Sequence, residues 1–296
     1  MGMIKRALYG WKKSSVDIYA HCFNEFGGSV NMHPHVIDYF SSRFGSRLSF
    51  FHYEKKGEII AAFALFDDKT TGVCQWREYP LSYDEVLIPA KAGHRLLFPE
   101  KTNRLSCFNR RNFINASFTF ARKNKVCFVK PCFSAKTEKN RRNAFNKFLR
   151  SGGRCDDLSL YSAEQLADYY IFLFKSRFAD SVKCYSRASL IEIISVLRPM
   201  IDGHILFVDN EPCALDLIFM AESAHSIYYD VPNGGVNTRF SHLSPGSLLM
   251  WKNISTAREY CQQQGKEMRF SIGSLDEEWH YKLRWANACA TGKTLF

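Results

Sequence analysis

His225-Ser-Ile-Tyr-Tyr-Asp-Val231, Pro232-Asn-Gly-Gly235, Ser244-Pro-Gly-Ser247 and Tyr281-Lys-Leu-Arg-Trp285 lie within sixty-odd residues near the end of the chain. Their order reads as strand, loop, helix, strand and polar coda. The first run is aromatic and β-branched, as a buried strand should be, and the second is dense in turn formers. Ser244 is placed as an N-cap with Pro245 at the first helical position, where a missing N–H costs nothing. Met250, Ile254, Ala257 and Cys261 recur at helical spacing, and Gly265 supplies the stop. Met268, Phe270 and Ile272 then alternate in a strand that ends at Gly273, followed by the acidic turn Asp276-Glu277-Glu278. Such a unit can set a helix N-terminus at the carboxyl end of a sheet, where unpaired N–H groups favour an anion. Gly246 lets backbone approach a ligand closely. The same residues also describe an ordinary, well-capped βαβ unit with no ligand.

Outward from this unit, 296 residues suffice for one large domain or two ordinary ones, and a 46% hydrophobic share with 25 Phe and 14 Tyr provides a core. The longest apolar run, Ile59-Ile-Ala-Ala-Phe-Ala-Leu-Phe66, is a buried strand and far short of a membrane span. No signal peptide is legible before Lys13, so a cytoplasmic protein is expected. Ten scattered cysteines without a C-x-x-C read as reduced thiols, and no metal is expected. A net charge of +11 points to an anionic membrane surface, transfer RNA or a phosphate-rich cofactor, or simply to solubility.

Residues 1–13 read as a short amphipathic helix with Ile4, Ala7, Leu8 and Trp11 on one face, either lying on an anionic leaflet with Trp11 at the headgroups or packed on its own domain. A helix is expected over 34–44, strands over 48–53 and 58–66, another strand over 73–79, an irregular connection over 80–110 and a helix over 111–123. His33 and His35 read as caps or surface groups. Pro131 marks a boundary. The basic helix 137–150 is either a nucleic-acid surface or a solvated face. Helices over 163–177 and 188–197 precede a meander of strands over 204–208, 214–220 and 225–231. No hydrolase elbow, phosphate loop or zinc-protease motif is present.

Leu243-Ser-Pro-Gly-Ser-Leu-Leu-Met-Trp251, Ala257, Phe270-Ser-Ile-Gly273 and Tyr281-Lys-Leu-Arg-Trp285 resemble, in that order, the final motifs of the Fem-like acyltransferases of the GNAT superfamily. With Gly27-Gly-Ser-Val-Asn-Met-His-Pro34, Lys139-Asn-Arg-Arg-Asn143 and Gly203-His-Ile-Leu206, nearly the whole chain resembles the macrophage-induced virulence proteins linked to antimicrobial-peptide resistance in Gram-negative bacteria. The resemblance implies an α/β (α+β) fold of two tandem GNAT-like lobes, each a mixed, mostly antiparallel sheet flanked by helices. Residues 1–130 would be a degenerate N-terminal lobe and 131–296 the lobe that holds the donor cleft.

Acyl transfer needs a donor held beside an acceptor, a proton route and a positive group near the developing oxyanion. The resemblance assigns Lys282 to that positive group, and Ser244, Gly246 and Ser247 to the donor's phosphates. Asp230 is a candidate proton acceptor or an Asx cap of the following loop. Asp216 is an inward carboxylate or a solvent-facing one by strand alternation. Arg284 and Trp285 are phosphate and stacking contacts, or a surface arginine beside a packed aromatic. The chain lacks the glycine-rich pyrophosphate loop common before the crossover helix, which leaves acyl-CoA, aminoacyl-tRNA, an acyl carrier protein or no donor open. The expectation is an acyltransferase-like protein, peripheral to the anionic inner membrane, that modifies an envelope component and supports resistance to cationic peptides. The rivals are a non-enzymatic binding protein on the same fold and, with no legible helix-turn-helix, a DNA-binding regulator. No specific DNA partner is expected.

Overall fold

The computed structural model describes residues 2–119, 124–179 and 181–295. The N-terminal elements are α1 (Gly2–Leu8), β1 (Trp11–Ser14), α2 (Val16–Phe26), α3 (Pro34–Phe44), β2 (Leu48–Lys55), β3 (Glu58–Phe66), β4 (Thr70–Thr71), β5 (Ala116–Ser117) and β6 (Lys125–Val129). Then come α4 (Ala135–Arg150), β7 (Gly153–Asp157), α5 (Ala163–Phe178), α6 (Arg187–Val196), β8 (Ile201–Asp202), β9 (His204–Val208), β10 (Glu211–Asp216), β11 (Ile218–Glu222) and β12 (Ser226–Asp230). The chain closes with β13 (Gly234–Val236), α7 (Pro245–Gln264), β14 (Glu267–Ser274), β15 (Ala286–Ala290) and β16 (Lys293–Thr294).

Local signals set several boundaries. The His33 side chain accepts from the His35 N–H at the start of α3, with Pro34 behind it, and Gly45 closes that helix in the left-handed region. Ser162 and Gln165 form a capping box on α5, and Gly265 ends α7 at φ 65°.

β1 to β4 form one antiparallel sheet in sequence order, and β13-β10-β9-β7 form another. The third sheet runs β15-β6-β14-β12-β11-β8. In it β12 and β14 are parallel, with Ser226 opposite Glu267 and Asp230 opposite Ser271, so a crossover is obligatory and α7 is that crossover. β6 precedes Pro131 in sequence, yet it hydrogen-bonds into this sheet between β14 and β15. Side chains of β12 alternate between two cores: Tyr228 faces the larger one with Tyr19, Phe63 and Tyr170, while Ile227 and Tyr229 face the one under α7.

Three local expectations change. Residues 73–79 form a turn rather than a strand, with the Gln75 carbonyl accepting from Glu78 and Tyr79 N–H, because Gly72 at φ 78° redirects the chain after the short β4. Residues 111–119 carry no α-helix, and 120–123 lie outside the described residues. The Asn109 and Asn115 side chains each bond both N–H and C=O groups of the 88–98 segment, and Asn112 bonds the carbonyls of Lys91 and His94. These asparagines hold neighbouring backbone in an irregular path. Finally, Trp11 does not share α1's outer face. It is 3% exposed on β1, its indole N–H donates to the Leu97 carbonyl at 2.7 Å, and it packs edge-on to Phe63. Pairing of β1 with β2 turns it into the core.

Candidate functional site

A cleft of about 380 Å³ opens at the carboxyl ends of β12 and β14. It is lined by the segment Leu81–Asp84 with Trp76 and Arg104, which meets Ile272 to Ser274 through Asp84, and by the 3₁₀ turn that carries Trp279, Tyr281 and Lys282. The end of α5 adds Arg177 and Phe178, the end of β10 adds Asp216, and the β12–β13 loop adds Val231 to Gly234. That position outside the strand ends of an open sheet is where α/β folds hold ligands.

Gly273 brings the chemistry together. It sits at φ 78°, next to a register shift in the β14–β6 pairing between Ser271 and Ser274. A Cβ at this position would lie 3.2 Å from Asp84 Oδ2 and 3.5 Å from Lys282 Nζ, so both groups converge on bare backbone. Lys282 is 8% exposed; its ammonium donates to the Ser274 carbonyl at 2.7 Å and lies 4.5 Å above the Trp279 ring. Burial lowers its pKa, and the Asp84 carboxylate opposes that. Asp84 accepts from the Ser274 N–H at 2.9 Å; burial raises its pKa while that bond, Lys282 and Arg104 hold it down.

A second, much smaller cavity lies behind the Leu81–Asp84 wall, lined by Ser82 and Asp84, which also face the cleft, and by Glu85, Tyr228 and Asp230. Asp230 accepts from the Ser82 N–H at 3.2 Å, and burial pushes its carboxyl up to about 7. Glu85 accepts from the Tyr228 hydroxyl at 2.9 Å, and burial pushes it up to about 8. Asp230 is therefore neither an Asx cap nor a lining residue of the cleft. Its neighbour Tyr229 faces the other core, and by alternation its carboxylate turns toward the N-terminal segment.

The remaining motif residues lie elsewhere. Ser244, Gly246, Ser247 and Arg284 are not among the cleft-lining residues. Ser244 precedes α7 at φ 53°, ψ 49°, and makes no side-chain cap bond, because a 3₁₀ turn over Thr238–Leu243 delivers the chain to the helix in the left-handed region. A cap hydroxyl needs extended backbone to reach back over the first turn. Val236 of β13 lies against Gly246, where a Cβ would meet it at 3.0 Å. Arg284 is exposed, while Trp285 is buried, lines the cleft, and is covered by the Arg141 guanidinium at 4.5 Å.

Sequence reasoning missed Asp84, Arg104 and Arg177. The signal for Asp84 was present: two consecutive acids, Asp84-Glu85, flanked by Leu81 and Val86-Leu-Ile88, are unusual in a solvated connection. Arg177 donates to the Gly234 carbonyl at 2.8 Å and the Tyr281 hydroxyl at 3.0 Å, and no pattern in sequence announces it.

No curated protein matches the chain in sequence. Among solved structures, a crystal structure of FemX aligns over 96% of this chain and 97% of its own, with 9% identity and a TM-score of 0.60. A conserved protein of unknown function from Bacteroides thetaiotaomicron VPI-5482 aligns over 95% and 99%, with 11% identity and a TM-score of 0.50. A tandem GNAT protein from the clavulanic acid biosynthesis pathway covers 96% and 97% at 9% identity, with a TM-score of 0.41. The fold is thus similar to that of FemX. The family model described as Mig-14 matches residues 33–294, and the chain belongs to the Mig-14 family.

Proposed function

We propose that the protein transfers an acyl or aminoacyl group to an amine or hydroxyl of an envelope component, in the cleft where the 81–84 segment meets the end of β14. The observation that carries this reading is the convergence of the Lys282 ammonium and the Asp84 carboxylate on Gly273. A buried cation there can meet charge that develops on a carbonyl oxygen, which is the largest single contribution in acyl transfer.

The lining suits an acyl carbonyl better than pyrophosphate. Its cations Arg104, Arg177 and Lys282 are matched by Asp84, Asp216 and Asp276, and each cation already bonds a backbone carbonyl. An aminoacyl or carrier-bound donor held through its acyl end therefore fits this lining better than the pyrophosphate of coenzyme A. Purified protein offered acetyl-CoA, alanyl-tRNA and acyl carrier protein with extracted envelope lipids should give an acceptor of increased mass. If no donor is consumed, and cells carrying a folded Lys282→Met protein resist cationic peptides as the wild type does, the binding-protein reading replaces this one.

We further propose a peripheral contact with the anionic inner-membrane surface. Met3, Ile4 and Leu8 are exposed on α1 with Lys12 and Lys13 nearby, while Arg6 turns inward to Glu100. No helix among the described residues is long and apolar enough to cross a membrane. Triple substitution of Met3, Ile4 and Leu8 by serine should release the protein from anionic liposomes. Deletion of 2–13 is unsuitable, since it removes β1 and Trp11 from the core. Equal binding to neutral vesicles would overturn the electrostatic part of the proposal.

A further inference from the structure

The cleft holds a second carboxylate, Asp216, that no motif singles out. β10 ends at this residue; Leu217 alone separates it from β11, where the chain leaves the four-stranded sheet for the six-stranded one. The carboxylate stands at this joint and lines the cleft. Its place is reserved by the residue opposite. Gly234 pairs with Asp216 across β10 and β13, and a Cβ on Gly234 would lie 1.9 Å from Asp216 Oδ1.

Its orientation is set from behind by a chain of buried polar groups. Asn253 on α7, 3% exposed, donates its Nδ2–H to Asp216 Oδ2 at 3.3 Å. The other end of the same amide, Oδ1, lies 2.9 Å from His204 Nδ1. Burial lowers the His204 pKa, and with the amide nitrogen bonded to Asp216 the amide oxygen is left to face His204, which assigns the ring proton to Nδ1. A carboxylate aimed by a second group, itself aimed by a third, is the arrangement expected of a base next to a reacting centre.

Three of the other carboxylates are placed for different work, and a fourth, Asp276, lines the cleft on the Lys282 side, where its charge acts on that ammonium. Asp84 is tied to the Ser274 N–H beside the Lys282 ammonium, while Asp230 and Glu85 line only the cavity behind the wall. Charged and titratable groups around Asp216 are Arg177 and the buried Tyr170, both from α5; α7 contributes the neutral Asn253 and β13 the bare Gly234.

We infer that Asp216 is the proton acceptor of the acyl transfer proposed above, and the assignment rests on that reading. The acceptor's neutral amine, an ammonium having first lost a proton to water, or its hydroxyl gives a proton to the carboxylate as its nitrogen or oxygen bonds to the donor's carbonyl carbon. The carbonyl π pair moves onto oxygen beside Lys282. Collapse restores the carbonyl and breaks the bond to the donor's ester oxygen or thioester sulfur, which takes up the proton held by Asp216. Burial pushes this carboxyl up to about 6, so it is ionised, and basic, at neutral pH.

The test has a ligand-free arm and a cellular arm. Labelling of the purified protein with a carbodiimide and glycine ethyl ester requires a protonated, accessible carboxyl. Peptide mass spectrometry should show Asp216 labelled with a midpoint near pH 6, moved by at least half a unit in Asn253→Ala. Absence of Asp216 labelling at every pH would overturn the placement. In cells challenged with polymyxin B, folded Asp216→Asn should lower survival at least tenfold, as Lys282→Met does, and Asp216→Glu should recover part of it. Wild-type survival of Asp216→Asn beside a sensitive Lys282→Met strain overturns the assignment of Asp216 alone. Wild-type survival of both overturns the transferase reading itself.

Discussion

The crossover unit has two ends, and they offer a ligand very different things. At the start of α7, Ser244 lies in the left-handed region without a cap bond, Val236 packs against Gly246, and neither serine faces the cleft. At the ends of β12 and β14, Gly273 and Gly234 leave bare backbone on which Lys282, Asp84 and Asp216 close. A Ser-Pro-Gly start has the local features of an anion cradle, yet a cradle works only if nothing packs in front of it. Here Val236 of β13 lies against Gly246 and the helix start stands outside the cleft, whereas Lys282, Asp84 and Asp216 meet at the strand ends.

The contrast breaks most readily at Lys282. Lys282→Met keeps the stem packed over Trp279 and removes the charge, so transfer should fall by roughly 100- to 1,000-fold with little change in Tm. Lys282→Arg should recover part, since charge returns in a bulkier, planar group. A Lys282→Met protein with undiminished turnover would move the site away from the strand ends.

Gly234→Ala sharpens the same side. The new methyl meets the Asp216 carboxylate, so overpacking should cost about 1–3 kcal/mol by chemical denaturation. Transfer should fall further than folding does, because the displaced group lines the cleft. Unchanged stability would show that Asp216 can swing clear.

The cavity behind the cleft wall predicts a pH dependence of folding. Unfolded Asp and Glu ionise near about 3.9 and 4.3, whereas Asp230 and Glu85 ionise near 7 and 8 in the folded chain. The folded state therefore holds extra protons between these values. Stability is full below about pH 4, declines as pH rises, and levels off above 8. Each group contributes at most about 1.4 kcal/mol per pH unit in its window. Urea titrations from pH 5 to 9 should show the decline, and Glu85→Gln should flatten it. A rise in stability over that range would mean that both groups fold ionised.

The smallest effect belongs to the helix start. Ser244→Gly relieves a positive φ and loses no cap bond, so it should change stability by less than about 1 kcal/mol, toward greater stability. Ser247→Ala should leave transfer unchanged. A marked loss of activity from either variant would restore the start of α7 as the donor's anchor.

Much of the fold was legible because its signals are local. Pro34 with Gly45, Ser162 with Gln165, and Gly265 report on the dihedrals and N–H groups of their own turns. The alternation at Met268, Phe270 and Ile272 reports on one strand, and the parallel pair with its crossover follows from strand, helix, strand in that order. The legible part of the site was Lys282, through the Tyr-Lys coda.

Tertiary structure alone decided what meets Lys282. Asp84 reaches the Ser274 N–H across 190 positions, from a segment that reads as an irregular connection. Trp11 has the same amphipathic surroundings whether α1 continues or stops, and only pairing with β2 turns it inward. Strand alternation left Asp216 with two faces to choose between. The choice was made by a missing Cβ on Gly234 and a buried amide on α7, neither of them a neighbour in sequence. Periodicity and capping are properties of a few consecutive dihedrals, so the amino-acid sequence sets them directly. The convergence of three charged side chains depends on how separate elements pack, which no local pattern encodes.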